Sequence, residues 1–361
     1  MSDGDESYTM VLDHETLRCV ARDWEHFTSD TPFRVPIPEE SDVRPVRQLP
    51  IETDPPQHRA YRRLVEHRFS RSAAESHRAA LTELVDGLLA DAMTVGELDV
   101  VDRFALPIVS HAIALTLGRP GDTERFVSWG LHVFFDPETG RRRRNDDLDA
   151  YLADCVDSAM VDPGDDLFGD LVRADLDGRP LDRDELLGYG YLVLAGGRDT
   201  VIASIAGSLW HLATHPAAAD ELRQHREGLP TAVEELLRVI SPLAHIGRTV
   251  ATDTELEGQS FRTGELVSLC FAAANHDPAV FDAPDECRLD RTPNRHVAFG
   301  HGPHTCLGAP LARMELAVVL ERFLGMVTDC EVIAPTDWRP RDLDRASTHA
   351  AFPHDLVLRI A

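Results

Sequence analysis

Apolar residues along this chain recur mostly at intervals of three and four, the spacing of one face of an α-helix. The periodicity predicts helices near 56–69, 74–93, 104–117, 122–134, 146–160, 182–214, 230–240 and 308–326. Alternation with period two is short-lived and confined to two places. One is Ala244 to Leu269, where Thr249-Val250 and Glu255 to Gln259 suggest a small antiparallel ribbon; the other runs from Asp355 to Ile360. The expected class is mainly α: a large helical body with a long central helix and small β-sheets. No repeat and no long linker divides the chain, so residues 1–361 are expected to form a single domain.

The longest predicted helix, 182–214, carries the most local detail. Asp182-Arg183-Asp184-Glu185 reads as a capping box, and His215-Pro216 closes the far end. About thirty helical residues span roughly 45–50 Å, enough to cross a domain. Gly196-Gly197 nevertheless sits near the middle, where each glycine costs roughly 1 kcal/mol relative to alanine. Two explanations stay open: a close helix crossing, with Asp199 paired to Arg198, or a helix opened on purpose. The uncharged run from Thr200 to Ala219 approaches membrane-span length, but Ser204, Ser208, His211, His215 and Pro216 interrupt it. A buried core helix accounts for it better than a membrane span.

Composition narrows the partners. Against 62 acidic residues the chain has 36 Lys and Arg, a formal net charge of −26, which argues against nucleic acid and against anionic lipid. The acidic start, Met1 to Glu6, lacks the apolar run of a secretory signal, so the chain reads as cytoplasmic. Six scattered cysteines without paired spacing read as reduced thiols, five of them ordinary buried residues.

Cys306 differs through its neighbours, Phe299-Gly300-His301-Gly302-Pro303-His304-Thr305-Cys306-Leu307-Gly308. Glycines at 300, 302 and 308 let the backbone turn tightly and approach a flat ligand. The helix beginning after Cys306 offers orphan amides and a dipole that favour a thiolate. A zinc site from His301, His304 and Cys306 is the rival, but no second ligand cluster supplies the fourth ligand that a closed site requires.

The ten-residue pattern resembles the haem loop of the cytochrome P450 family, FGxGxHxCxG, at every specified position, and the resemblance extends over nearly the whole chain. It implies that fold, haem b as cofactor, Cys306 as the iron's protein ligand, and Phe299 and Gly308 against the haem. A thiolate ligand pushes electron density toward iron and favours O–O cleavage. Glu235-Leu236-Leu237-Arg238 is similar to the family's ExxR; the resemblance implies a structural role for Glu235 and Arg238, with His296 as third member. Gly196 to Thr200 resembles [AG]GxDT, which implies that Asp199 and Thr200 deliver protons at an opened helix. Asp54 to Arg63 resembles the DPPxH…R segment, although Asp54-Pro55-Pro56 is also a plain helix start. His58, Arg62, Arg248 and His304 would then meet the haem propionates.

The implied activity is a haem-thiolate monooxygenase that inserts one atom of O2 into a small or medium organic substrate in a bacterial biosynthetic or catabolic pathway. A ferredoxin or flavodoxin with an NAD(P)H reductase is expected in trans. Arg59, Arg62, Arg63, Arg68 and Arg71 form a locally basic patch that suits such a partner. Leu194, Ala195, His245, Ala350 and Phe352 are candidate walls of the substrate pocket. The alternatives are a peroxygenase, a coupling, desaturating or ring-forming oxidase, and a non-catalytic haem-binding protein. The chain departs from the family pattern in a shorter stretch before Asp54, in a short region 126–151 that carries Arg141 to Arg144, and in Cys287 and Val201.

Overall fold

The computed structural model describes residues 8–32, 44–131, 133, 144–333 and 355–361. Thirteen α-helices occur among them: α1 His14–Arg22, α2 Gln57–Val65, α3 Arg71–Val95, α4 Leu106–Leu117, α5 Thr123–Ser128, α6 Asp146–Val161, α7 Leu167–Arg173, α8 Arg183–Gly197, α9 Asp199–Thr214, α10 Pro216–Gln224, α11 Leu229–Ile240, α12 Phe271–Ala274 and α13 Ala309–Met326. Nine strands are interleaved: β1 Tyr8–Val11, β2 Phe27–Thr28, β3 Glu97–Asp99, β4 His245–Val250, β5 Thr254–Leu256, β6 Gln259–Phe261, β7 Leu266–Cys270, β8 Cys330–Val332 and β9 Val357–Ile360.

Most of the apolar core belongs to α3, α4, α6, α8, α9, α11 and α13, whose inward faces carry fully buried residues such as Leu81, Val109, Leu152, Ile202, Ala232 and Leu320. A smaller core fills the space between α1 and a sheet of order β1-β7-β4-β2, with Leu17, Phe27, Val267 and Leu269 at its centre. Side-chain caps start several helices in the manner their sequences foretell. Asp182 accepts from the amide of Glu185 at 2.9 Å while Glu185 accepts from the amide of Asp182 at 2.8 Å, so the predicted capping box is formed. The predicted ribbon is present as β5 and β6, paired antiparallel through the left-handed turn Glu257-Gly258.

Three expectations need correction. The predicted helix 182–214 is interrupted into α8 and α9 by a bend at Arg198 (φ −99°, ψ −76°), directly after Gly196-Gly197. The predicted helix 122–134 stops at Ser128, and residues 132 and 134 lie outside the described residues. Strand β1 had no alternation to announce it; only four residues long, it pairs in parallel with β7, Tyr8 opposite Leu266. The segment Arg183–Thr214 is long and apolar enough to cross a membrane by length and composition, but most of its apolar window is buried inside the protein.

Candidate active site

The cysteine loop hangs between the small sheet and the amino end of α13. The amide of Cys306 donates to the carbonyl of Phe299 at 2.8 Å, closing the loop on itself. Gly300 and Gly302 adopt left-handed backbone (φ 70° and 74°). At Gly302 a Cβ would lie 2.6 Å from the carbonyl oxygen of Ala21, so glycine lets the loop press against α1. Gly308 has ordinary φ and serves as the N-cap of α13, 3.9 Å from the Cys306 sulfur at its would-be Cβ. Cys306 keeps accessible surface although protein packs around it. Burial pushes its thiol up, while the amides of Gly308 and Ala309 and the guanidiniums of Arg62 and Arg313 pull it down.

On one side of the loop, His58 from α2, Arg248 from β4 and His304 converge. The two imidazole rings are 4.2 Å apart. His58 is held near pKa 4 by burial and then by Arg62, Arg248 and Arg59. His304 is held well below its ordinary value by burial, Arg248 and His58. Among the described residues, His58 Nδ1 and His304 Nε2 are buried without a hydrogen-bond partner, and buried Arg248 donates to the carbonyl of Gly247 at 2.7 Å. Buried polar atoms are seldom left unmatched. A ligand that brings two carboxylates beside these orphaned nitrogens matches them, so the residues present fit the propionate edge of a haem. Arg62 is engaged elsewhere: it donates to the carbonyl of Thr305 at 2.7 Å and lies 3.7 Å from Glu66. That bond also ties α2 to the cysteine loop, beside the propionate role expected of Arg62.

Glu235 and Arg238 are fully buried and joined by two hydrogen bonds of 2.9 and 2.8 Å. His296, expected as the third member, is not; its ring meets Glu234 at 3.0 Å. Consecutive residues on a helix point about 100° apart, so Glu234 and Glu235 serve different networks. Arg291 is the third member, donating from Nε to both Glu235 oxygens at 3.0 Å, and Asn294 adds a further bond at 3.0 Å. Arg238 also donates to the carbonyls of Asn275, Pro284 and Glu286. Burial raises the Glu235 carboxyl, but Arg238, the amide of Arg288 and Arg291 outweigh it and leave it below the ordinary range. Glu234 instead takes Arg313 at 2.6 and 2.7 Å, and that guanidinium lies 4.3 Å over the ring of Phe299. Arg291 and Arg313 carried no signal in sequence beyond their charge.

At the α8–α9 break, Thr200 donates to the carbonyl of Gly196 at 3.0 Å. A Cβ on Gly197 would come no closer than 3.7 Å to Ile113, and one on Gly196 no closer than 3.9 Å to Leu192. A tight crossing therefore does not require these glycines, and Gly196 is exposed although much of α8 around it is buried. Leu194 is buried just before the break and Ala195 is half-buried. His245, at the start of β4, is buried with Nδ1 3.0 Å from the Ser268 hydroxyl. Ala350 and Phe352 lie outside the described residues, as do Arg141 to Arg143. Arg144 is exposed and paired with Asp149.

The chain is similar in sequence and in fold to known proteins. The Cytochrome P450 family model matches residues 161–326. Steroid C26-monooxygenase of Mycolicibacterium smegmatis is 35% identical over 302 residues, 80% of this chain and 75% of the relative. Mycinamicin IV hydroxylase/epoxidase of Micromonospora griseorubida is 35% identical over 332 residues, 89% of this chain and 82% of the relative. A solved structure described as a carbohydrate active P450 superposes with a TM-score of 0.92 at 36% identity, covering 100% of this chain and 94% of that one. The chain belongs to the cytochrome P450 family. It is a haem-thiolate monooxygenase of the mainly α fold of that family, and haem is its cofactor.

Proposed function

We infer that Cys306 is the iron's protein ligand, that His58, Arg248 and His304 receive the propionates, and that Asp199 and Thr200 carry protons to the dioxygen side of the haem. When bound, the haem supplies dioxygen activation and oxygen insertion. The observation that carries the assignment is the pairing of an accessible thiol deep in the protein with a buried cluster of orphaned donors one loop away. Phe299 and Gly308 line the same loop, Phe299 braced by Arg313. Glu235, Arg238 and Arg291 hold the polypeptide beneath it and do no chemistry. At the break, the Thr200 hydroxyl is already oriented by Gly196, and Asp199 on the same helical turn is placed to pass protons on. Residues 1–361 form one domain in this reading, supported by β1 pairing with β7 and β3 with β9 across most of the chain length.

The substrate is a small or medium organic molecule of bacterial metabolism, met by Leu194, Ala195 and His245, and the protein works in the cytoplasm. Electrons come from a ferredoxin or flavodoxin and its NAD(P)H reductase. Arg59, Arg63 and Arg71 are exposed on the cysteine side and suit an acidic partner, whereas Arg68 is bound to Asp170 at 2.6 Å. The likeness to the carbohydrate active P450 adds sugars to the ligands worth screening.

The decisive experiment compares the wild type with Cys306→Ala. Reduced, carbon monoxide-treated wild type shows the red-shifted absorption of a sulfur-bound haem, and the variant lacks it along with NADH-dependent turnover. An unchanged spectrum in the variant removes Cys306 from the iron.

A further inference from the structure

Arg198 stands between α8 and α9, directly before Asp199, and its side chain runs away from both helices. It is 1% exposed. Its Nη1 donates to the carbonyl of Phe126 at 2.9 Å and its Nη2 to the carbonyl of Gly130. Those carbonyls belong to the end of α5 and the left-handed turn that follows it. The last carbonyls of a helix lack partners and attract cations, so a guanidinium caps this end well. Burial lowers the arginine to about pKa 10, with Asp199 opposing, and it stays protonated at neutral pH.

The arrangement is costly for a residue whose only task would be to interrupt a helix. Among the described residues its Nε is buried without a partner, and it hydrogen-bonds carbonyls and no carboxylate. A buried charge is tolerated only where its geometry is used. Gly196-Gly197 already weakens the helix. What Arg198 adds is position. The backbone ladder of α9 begins at its carbonyl, which accepts from the amide of Ile202 at 3.1 Å, and Thr200 reaches back across the break to Gly196.

We propose that Arg198 is a positioning residue that ties the end of α5 to the α8–α9 break and so sets where Asp199 and Thr200 start the second helix. The proposal rests on the proton-delivery reading of those two residues for its functional consequence, but the tie itself is testable without it. A change at the end of α5 is thereby transmitted to the break through one side chain.

The test follows amide hydrogen exchange by mass spectrometry in the haem-loaded protein, comparing wild type, Arg198→Met and Arg198→Lys over segments 123–131 and 196–203. In Arg198→Met both segments are expected to exchange about tenfold faster, the size of effect that follows loss of charge-assisted hydrogen bonds. Arg198→Lys, with one reachable carbonyl, falls between. In turnover with redox partners, peroxide released per NADH rises in the Met variant, while kcat falls more than KM changes. If 123–131 loosens and 196–203 stays protected, or if neither moves, the tie is refuted. Should the Met variant not accumulate folded, wild-type exchange of 196–203 in Arg198→Lys refutes it equally. Loosening of both segments with peroxide at the wild-type level upholds the tie and refutes proton delivery by Asp199 and Thr200.

Discussion

Two groups of buried charged and polar side chains, one around Glu235 and one around His58 and His304, are built on opposite rules. Around Glu235, the positive side chains Arg238 and Arg291 share one carboxylate, and their remaining donors go to backbone carbonyls. Around His58 and His304, Arg248 sits against two neutral imidazoles, and a ring nitrogen of each lacks a partner among the described residues. The first group is complete within the polypeptide. The second makes sense only with an anionic ligand, because like-charged neighbours and burial both work against it. The contrast separates a scaffold from a binding site without reference to the iron.

Substituting Glu235 should have the largest effect on stability. Glu235→Gln leaves Arg238 and Arg291 buried beside a neutral amide, which costs on the order of 3–5 kcal/mol; denaturant unfolding of the haem-loaded protein measures it. A loss below about 1 kcal/mol would erase the distinction between the two groups.

Arg248→Met comes next and should behave in the reverse way. The haem-free chain keeps its stability or gains a little, since a buried charge that Asp54 only partly offsets is removed. Haem is lost about ten- to a hundredfold faster to an acceptor apoprotein, as expected when a charge-assisted bond to a carboxylate disappears. A destabilised haem-free chain with unchanged haem retention would place Arg248 in the scaffold.

The smallest effect is in pH dependence. His58 has a folded pKa near 4 against an ordinary value of 6.5, so the native chain binds fewer protons than the unfolded one between these limits. Stability is therefore full above about pH 6.5 and declines as pH falls toward 4. Glu235, lowered from its ordinary value of 4.5, contributes nothing to that decline until the acid end. Melting temperatures of the haem-free protein should fall through this window, and His58→Gln should flatten the slope. Carboxylates beside His58 oppose the shift, so haem-loaded protein should show a shallower slope than haem-free protein.

Much of the site was legible because its signals are local. Gly300 and Gly302 announced left-handed backbone, Asp182 and Glu185 announced a helix start, and Glu235 with Arg238 lies on one helical face at i,i+3. His296 failed as a third partner because a histidine's range of reach cannot distinguish Glu234 from Glu235 without knowing how α11 is rotated. In the helix 182–214 the sequence marked a weak point at Gly196-Gly197, but not the anchor of the break, at Phe126 and Gly130, which lies some seventy positions earlier in the chain.

By itself the sequence determined most of the longer helices but not α1, α7, α10 or α12, the cap at Asp182, and which thiol sits in a glycine-bearing turn ahead of a helix, since each depends on residues within a few positions of one another. Only the tertiary structure decided that Arg291 and not His296 completes the Glu235 network, that Arg62 braces the loop, and that Arg198 reaches α5. Those choices are made by contacts between residues tens to hundreds of positions apart. Their partners are selected by packing and by the cost of leaving a buried charge unmatched, which no local pattern records.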